Sequence, residues 1–163
     1  MISDRNFINI AHEIASASKC VSKQVGAVIV KDGRILSTGY NGTPAGYINC
    51  KDHWNGEYTK DHHEWSKTYE IHAEMNAIIW AARKGISIED ATIYVTLEPC
   101  SECSKNLIAA GIKRIVYDRA YEHTNSEIVS KFLKDNKVLI EKIKKSYLWI
   151  ITLYTIKQIK NMV

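Results

Sequence analysis

The stretch ATIYVTLEPCSECSKNLIAAGIKRIVYD, residues 91–118, decides the fold. Its first seven residues, ATIYVTL, are mostly β-branched or aromatic and predict a strand. The following SECSKNLIAAG predicts a helix that ends at Gly111, because glycine readily adopts the backbone conformation that closes a helix. IKRIVYD then predicts another strand. Strands that alternate with helices in this way are typical of a layered α/β protein.

The residues before this stretch predict further elements. Residues 3–18 predict a first helix, with Ser3 as its N-cap and apolar side chains at helical spacing. Residues 24–42 predict two strands joined by a turn at Asp32-Gly33. Residues 72–84 predict a helix that ends at Gly85. Residues 41–68 show no period and predict a long ordered loop, which in a compact domain requires something to hold it in place.

The residues after the stretch complete the expected sheet. Residues 126–134 predict a helix, and KVLIEKI at 137–143 predicts a last strand. The first two strands are joined as a hairpin, whereas helices join the later ones. We therefore expect a mixed sheet of about five strands.

Length and composition indicate one globular domain. The chain has 163 residues, of which 45% are hydrophobic and 25% charged, and it shows no repeat. Asp4 and Arg5 interrupt any apolar core of an export signal. The longest apolar run, YLWIITLYTI at 147–156, has half of the roughly twenty residues that span a bilayer. We predict a single domain over 1–163, a cytoplasmic location and no membrane partner.

The net charge of +4 is distributed unevenly. Residues 131–163 contain eight lysines and two acidic residues, whereas the first 130 residues contain 14 basic and 16 acidic ones. Enzymes that act on nucleic acid usually line the approach to their site with positive charge. Here the positive excess lies away from the motifs described below and is typical of a solvated lysine-rich face. No nucleic-acid partner is therefore expected.

Three residues predict a catalytic metal site. His72 begins one predicted helix, and Pro99-Cys100 begins the next. Cys100 and Cys103 share a helix face and can bind one ion together with His72. Thiolate and imidazole suit zinc, and three ligands leave the fourth position open for water. Glu74 can reach that position without ligating, as a group that transfers protons. One alternative is a structural zinc site with Glu74 as an ordinary surface residue. Another is a catalytically silent zinc protein that binds nucleotides or partners.

His-x-Glu followed by Pro-Cys-x-x-Cys is the signature of zinc nucleobase deaminases. The sequence resembles the cytidine-deaminase-like zinc superfamily and, within it, the deoxycytidylate (dCMP) deaminases, including those of phages and large viruses. The resemblance lies in the segments SKC (18–20), VGAVI (25–29), GYNGTPAG (39–46), NC (49–50), HHEWSKTYEIHAEMNAI (62–78), YVTLEPCSEC (94–103) and GIKRIVY (111–117). It implies a three-layer α/β/α fold with a core over about 5–143 and leaves the tail 144–163 without an assigned role.

The resemblance also implies the reaction. It is the zinc-dependent hydrolysis of dCMP to dUMP and ammonia, which supplies dUMP for dTMP synthesis, with Glu74 moving the protons. Asn41, Ala73 and Tyr121 are implied as residues that bind the nucleotide. Asn41-Gly42 also fits a simple turn. The competing enzymes are a bifunctional dCMP/dCTP deaminase and a tRNA adenosine or polynucleotide deaminase.

A second, structural zinc is implied at Cys20, Cys50, His62 and Glu70. Four protein ligands close the coordination shell, and such an ion would fix the long loop 41–68. Cys20 is expected at the end of the first helix. His53 or His63 could replace His62, and two packed cysteines beside a solvated histidine are the plain alternative.

Regulation and assembly are further implications of the resemblance. The resemblance implies an effector site for dCTP and dTTP that includes Gly42, Trp80 and Arg83. It also implies Mg²⁺ bound with a triphosphate effector. The expected assembly is a homo-oligomer, with a hexamer favoured. The alternative places Trp80 in the core and makes Arg83 a solvated cation at a helix end. The tail 144–163 fits a terminal helix, a subunit contact or a membrane-surface segment.

Overall fold

The structure is a computed structural model, and it describes residues 2–121 and 126–144. The apolar run at 147–156 and nearly all of the tail 144–163 lie outside them. The elements in chain order are α1 (Asp4–Ala15), β1 (Gly26–Lys31), β2 (Arg34–Tyr40), α2 (Cys50–His53), α3 (His62–Tyr69), α4 (Ala73–Arg83), β3 (Thr92–Leu97), α5 (Ser101–Ala109), β4 (Arg114–Arg119), α6 (Ser126–Asp135) and β5 (Leu139–Lys142). Within the described ranges, no helix is both long enough and apolar enough to cross a bilayer.

The five strands form one mixed sheet in the order β2-β1-β3-β4-β5. β1 is antiparallel to β2 and β3, whereas β3, β4 and β5 are parallel. The β1–β2 turn places Asp32 and Gly33 at positive φ, 51° and 74°, a backbone conformation that matches the twist of a hairpin. The predicted mixed sheet of about five strands is confirmed.

Both faces of the sheet are covered. Alternate residues of β1 and β3, such as Ile29 and Ile93, pack in the core beneath α4, α5 and α6. Their neighbours, such as Val28 and Tyr94, pack against Phe7 and other apolar residues of α1 on the opposite face. Side chains in a strand point alternately to the two faces. The period-2 pattern therefore produces the three-layer α/β/α fold, which is confirmed.

Two local predictions are wrong. The segment 41–68 is not only loop, because it contains α2 and most of α3. Its apolar pattern is weak because the buried residue of each helix is a potential metal donor, Cys50 or His62. The first helix ends at Ala15, with Ser16 as its C-cap, so Cys20 lies in the following loop and does not end that helix.

A partly exposed ion pair fastens α1 to the sheet. The Asp4 carboxylate accepts hydrogen bonds from Arg114 Nη1 at 2.9 Å, Arg114 Nη2 at 2.7 Å and the Tyr94 hydroxyl at 2.7 Å. The hydrogen bonds from Arg114 lower the pKa of Asp4 below its ordinary 3.8, although burial opposes this. The carboxylate form of Asp4 therefore stabilises the folded chain.

We expect Asp4→Asn to lower the free energy of unfolding by about 1 kcal/mol at pH 7, since the pair is partly solvated. The folded pKa of Asp4 lies below its unfolded value near 3.8. The contribution is therefore complete above that pH and is lost as the pH falls through the folded pKa. Urea unfolding of both proteins at neutral and acidic pH measures the difference. A difference that does not shrink in acid would contradict this role for the Asp4 charge.

Candidate active site and metal centres

Three predicted donors meet where two helices begin. His72 is the N-cap of α4, Cys100 is the N-cap of α5, and Cys103 follows in the first turn of α5. His72 Nδ1 lies 3.3 Å from Cys103 Sγ and 3.6 Å from Cys100 Sγ. One donor atom from each residue lies within 4.8 Å of the other two. We call these three residues the first cluster.

The donors of the first cluster fit a divalent cation. A hydrogen bond from Cys103, together with His72, lowers the pKa of Cys100 to about 4. The Cys103 thiol has a raised pKa, because it shares that hydrogen bond with Cys100 and is also buried. The two sulfurs therefore compete for one proton, and a cation can take its place. Two thiolates and an imidazole are a donor set that suits zinc, and three ligands leave one position open.

Glu74 is a buried carboxyl beside the first cluster. It is the second residue of α4, and only 4% of it is exposed. Burial raises the pKa of Glu74, while its own backbone N–H and His72 oppose that increase. A carboxyl whose pKa is raised toward neutrality can both accept and donate a proton. This position suits proton transfer next to a bound metal.

Cys20, Cys50, His62 and Glu70 form a second cluster. His62 Nε2 lies 3.2 Å from Cys50 Sγ and 3.5 Å from Cys20 Sγ, and one donor atom from each of the four residues lies within 4.8 Å of the others. His62, the first residue of α3, is 5% exposed. The neighbouring histidines lie outside the cluster: His53 stacks on Trp65 with ring centroids 4.7 Å apart, and His63 is exposed.

The second cluster also fits a cation. Glu70 Oε2 accepts a hydrogen bond from Ser66 Oγ at 2.6 Å. Glu70 Oε1 is buried and has no hydrogen-bond partner among the described residues. Burial raises the pKa of Cys20, and it raises that of Cys50 to about 12. A buried carboxylate oxygen without a partner is costly, and a cation at this place would satisfy it. Four donors of this kind would complete the coordination shell of a structural zinc.

Two predicted nucleotide-binding residues lie on either side of Lys23. Asn41 Oδ1 accepts the Val25 backbone N–H at 2.8 Å, and Asn41 Nδ2 donates to the Lys23 carbonyl at 2.9 Å. The Lys23 ammonium lies 4.6 Å from the centroid of the Tyr121 ring. The Tyr121 backbone N–H donates to Glu98 Oε2 at 3.1 Å, which connects this residue to the start of α5. Asn41 therefore orders the surrounding backbone, a task that sequence reasoning did not assign to it.

The remaining predicted residues lie along α4, except for Gly42, which follows β2. Ala73, the first residue of α4, is completely buried. Gly42 pairs with Ile71, directly before the first cluster. Trp80 is 46% exposed and therefore does not belong to the core. Arg83 Cζ lies 5.8 Å from the centroid of the Trp80 ring, and Lys84 Nζ lies 4.9 Å from it.

Sequence reasoning missed three residues that support these sites. Lys23 contacts both Asn41 and Tyr121, Glu98 holds the backbone of Tyr121, and Ser66 donates to Glu70. The position of Glu98 directly before Pro99-Cys100 was an available signal. Ser66 lies four residues before Glu70, which is one helical turn, but the helix that brings them together was not predicted.

Comparison with known proteins identifies the family. The profile of the family described as "Cytidine and deoxycytidylate deaminase zinc-binding region" matches residues 1–119, a range that contains both clusters and Glu74. The chain belongs to this deaminase family. The predicted resemblance is confirmed, and the chain is a zinc-dependent hydrolytic deaminase.

Individual deaminases support this assignment. The deoxycytidylate deaminase of Enterobacteria phage T4 is 43% identical over 148 residues, covering 71% of this chain and 77% of the phage protein. The dCMP deaminase of cyanophage S-TIM5, solved in complex with dCMP and dUMP, is 32% identical with a TM-score of 0.71, covering 85% of this chain and 95% of the other. A tRNA:A34 deaminase has a TM-score of 0.57 at 20% identity, over 85% of this chain and 91% of the other, and shares the fold alone.

Proposed function

We propose that this deaminase hydrolyses the 4-amino group of dCMP, giving dUMP and ammonia, and that the dUMP supplies dTMP synthesis. The observation that carries the proposal is the first cluster with the buried Glu74 beside it. The similarity to the phage T4 deoxycytidylate deaminase supports dCMP as the substrate, as does the dCMP-bound cyanophage relative.

The chemistry divides between the metal and Glu74. A zinc ion held by His72, Cys100 and Cys103 would supply a Lewis acid that makes water nucleophilic near neutral pH. Glu74 accepts a proton from the attacking water and transfers it to N3 of the cytosine ring. After attack at C4, Glu74 transfers the second proton of that water to the departing 4-amino group, which leaves as ammonia. One water is consumed, so the atoms of dCMP and water balance those of dUMP and ammonia.

The nucleotide pocket is assigned to the residues next to the first cluster. Asn41 and Tyr121 flank Lys23, and Ala73 lies between His72 and Glu74. Among the described residues, Asn41 Oδ1 accepts one hydrogen bond and Asn41 Nδ2 donates one, and each of these atoms can make a second. This remaining capacity suits hydrogen bonds to a nucleotide.

The second cluster is proposed to hold a structural zinc, supported by Glu70 Oε1, which has no hydrogen-bond partner among the described residues.

Control by dCTP and dTTP, with Mg²⁺ bound to the triphosphate, is a further proposal. The homohexamer, the single domain over 1–163 and the cytoplasmic location are also proposals. The exposed Trp80 beside Arg83 and Lys84 supports a surface for an anionic effector or a subunit contact. Nucleic acid and membrane are not proposed as partners.

The substrate assignment is tested by incubating purified protein with dCMP, dCTP, cytidine and an anticodon stem-loop RNA, and by following ammonia release. We expect kcat/KM for dCMP to exceed that for cytidine by roughly 10⁴-fold, because a site built to hydrogen-bond the 5′-phosphate rejects an analogue that lacks it. Equal rates with dCMP and dCTP would favour the bifunctional alternative. Fastest release from the RNA would overturn the proposal in favour of a tRNA deaminase.

A further inference from the structure

Residues 70–72 connect the two clusters. Glu70 belongs to the second cluster and His72 to the first, so only Ile71 separates them. The backbone of Ile71 pairs with Gly42: the Gly42 N–H donates to the Ile71 carbonyl at 3.1 Å, and the Ile71 N–H donates to the Gly42 carbonyl at 2.8 Å. The segment is therefore held at all three of its residues once both clusters contain a cation.

Gly42, which pairs with Ile71, is connected through hydrogen bonds to the second cluster. Gly42 follows Asn41, whose carbonyl accepts a hydrogen bond from Ser18 Oγ at 2.8 Å. Ser18 Oγ in turn accepts the Cys20 backbone N–H at 3.2 Å. The path from Cys20 through Ser18 and Asn41-Gly42 to Ile71 therefore closes a ring of contacts through the second cluster. Movement of Glu70 or Cys20 would strain the same backbone that ends at His72.

We propose that Glu70 and Ile71 are positioning residues for His72, so that a divalent cation in the second cluster strengthens metal binding by the first cluster. This inference rests on the proposed second metal site. With that cation absent, the buried Glu70 Oε1 has no partner among the described residues, and relief of this penalty would displace Glu70 together with the adjacent backbone. Loss of a residue that orients a metal ligand typically lowers the affinity for the metal 10- to 100-fold.

Zinc affinity, measured by competition with a chromogenic chelator, tests the coupling. We expect two zinc ions per wild-type chain, one for each cluster. Cys50→Ser should bind one, and the remaining site should bind it about tenfold more weakly than the first cluster does in the wild type. Coupling between two sites is reciprocal. Cys103→Ser should therefore weaken the zinc of the second cluster by the same factor.

Asp4→Asn is the matched control. It weakens the fold at the N-terminal end of β4, away from both clusters, and should leave both zinc affinities unchanged. Glu70→Gln keeps the size of the side chain and provides the same comparison if Cys50→Ser does not fold. If the wild type binds two zinc ions but the remaining site of Cys50→Ser and of Cys103→Ser keeps its wild-type affinity within twofold, the coupling alone is overturned. A single zinc in the wild type would overturn the second site and the coupling with it, while leaving dCMP deamination intact.

Discussion

Replacing Glu74 by glutamine is expected to lower kcat for dCMP by a factor of about 100 or more, as expected for loss of a general acid–base. Glutamine has nearly the same size and still forms hydrogen bonds, but it cannot accept the proton of the attacking water. Glu74 is 4% exposed, so bulk water is poorly placed to substitute for it. Metal analysis should show unchanged zinc content, because Glu74 is not among the donors of either cluster.

Glu102→Gln is the control for this experiment. Glu102 lies between Cys100 and Cys103 in the sequence, but its side chain is exposed and pairs with Lys105 at 2.7 Å. This substitution removes the same charge from the adjacent helix and should leave kcat unchanged. If Glu74→Gln retained wild-type turnover with zinc bound, Glu74 would not be the proton carrier.

Gly39→Ala is expected to lower the free energy of unfolding by about 3 kcal/mol, the upper end of the range for overpacking. A Cβ at Gly39 would overlap the Ala73 carbonyl oxygen and lie 2.5 Å from the Ala77 backbone nitrogen, both in α4. Backbone atoms of a packed helix cannot rotate away as a side-chain end can. Because α4 begins next to His72 and carries Glu74, kcat should fall as well. Urea unfolding and ammonia release measure the two effects.

Gly42→Ala provides the matched comparison three residues further along. A Cβ at Gly42 would meet no described atom within 4 Å, and Gly42 is not among the described residues with positive φ. The substitution should therefore change the free energy of unfolding by less than about 0.5 kcal/mol. Equal destabilisation by the two substitutions would show that the approach of β2 to α4 does not explain the effect at Gly39.

Local spacing predicted that the three donors of the first cluster come together. Cys100 and Cys103 are three residues apart at the start of a helix, so the helix itself brings them together. His72 begins another helix, and the sequence predicted that it meets the two cysteines if both helices pack side by side on the sheet. The structure places both helices on the same face. These features depend on short-range periodicity, which a single sequence displays.

The segment 41–68 was harder to predict, because its helices bury donors instead of an apolar stripe. Cys50 and His62 are the buried residues of α2 and α3, so the usual 3.6-residue pattern of apolar side chains is missing. The same limitation left three histidines as candidates for the second cluster. The structure places His62 next to Cys20 and Cys50, while His53 packs on Trp65 and His63 faces solvent.

The sequence by itself determined the α/β order, the deaminase family and the candidate residues of the first cluster, because these depend on periodicity and on the recognisable motifs around His72 and Cys100. The tertiary structure decided which histidine joins Cys20 and Cys50, how Asn41 orders the backbone around it, and why Glu70 and Glu74 differ. Glu70 contributes a carboxylate oxygen to the four-residue cluster, and its Oε1 has no hydrogen-bond partner among the described residues, whereas Glu74 lies buried beside the first cluster. These outcomes depend on contacts between residues far apart in the chain, and only the packed fold sets those distances.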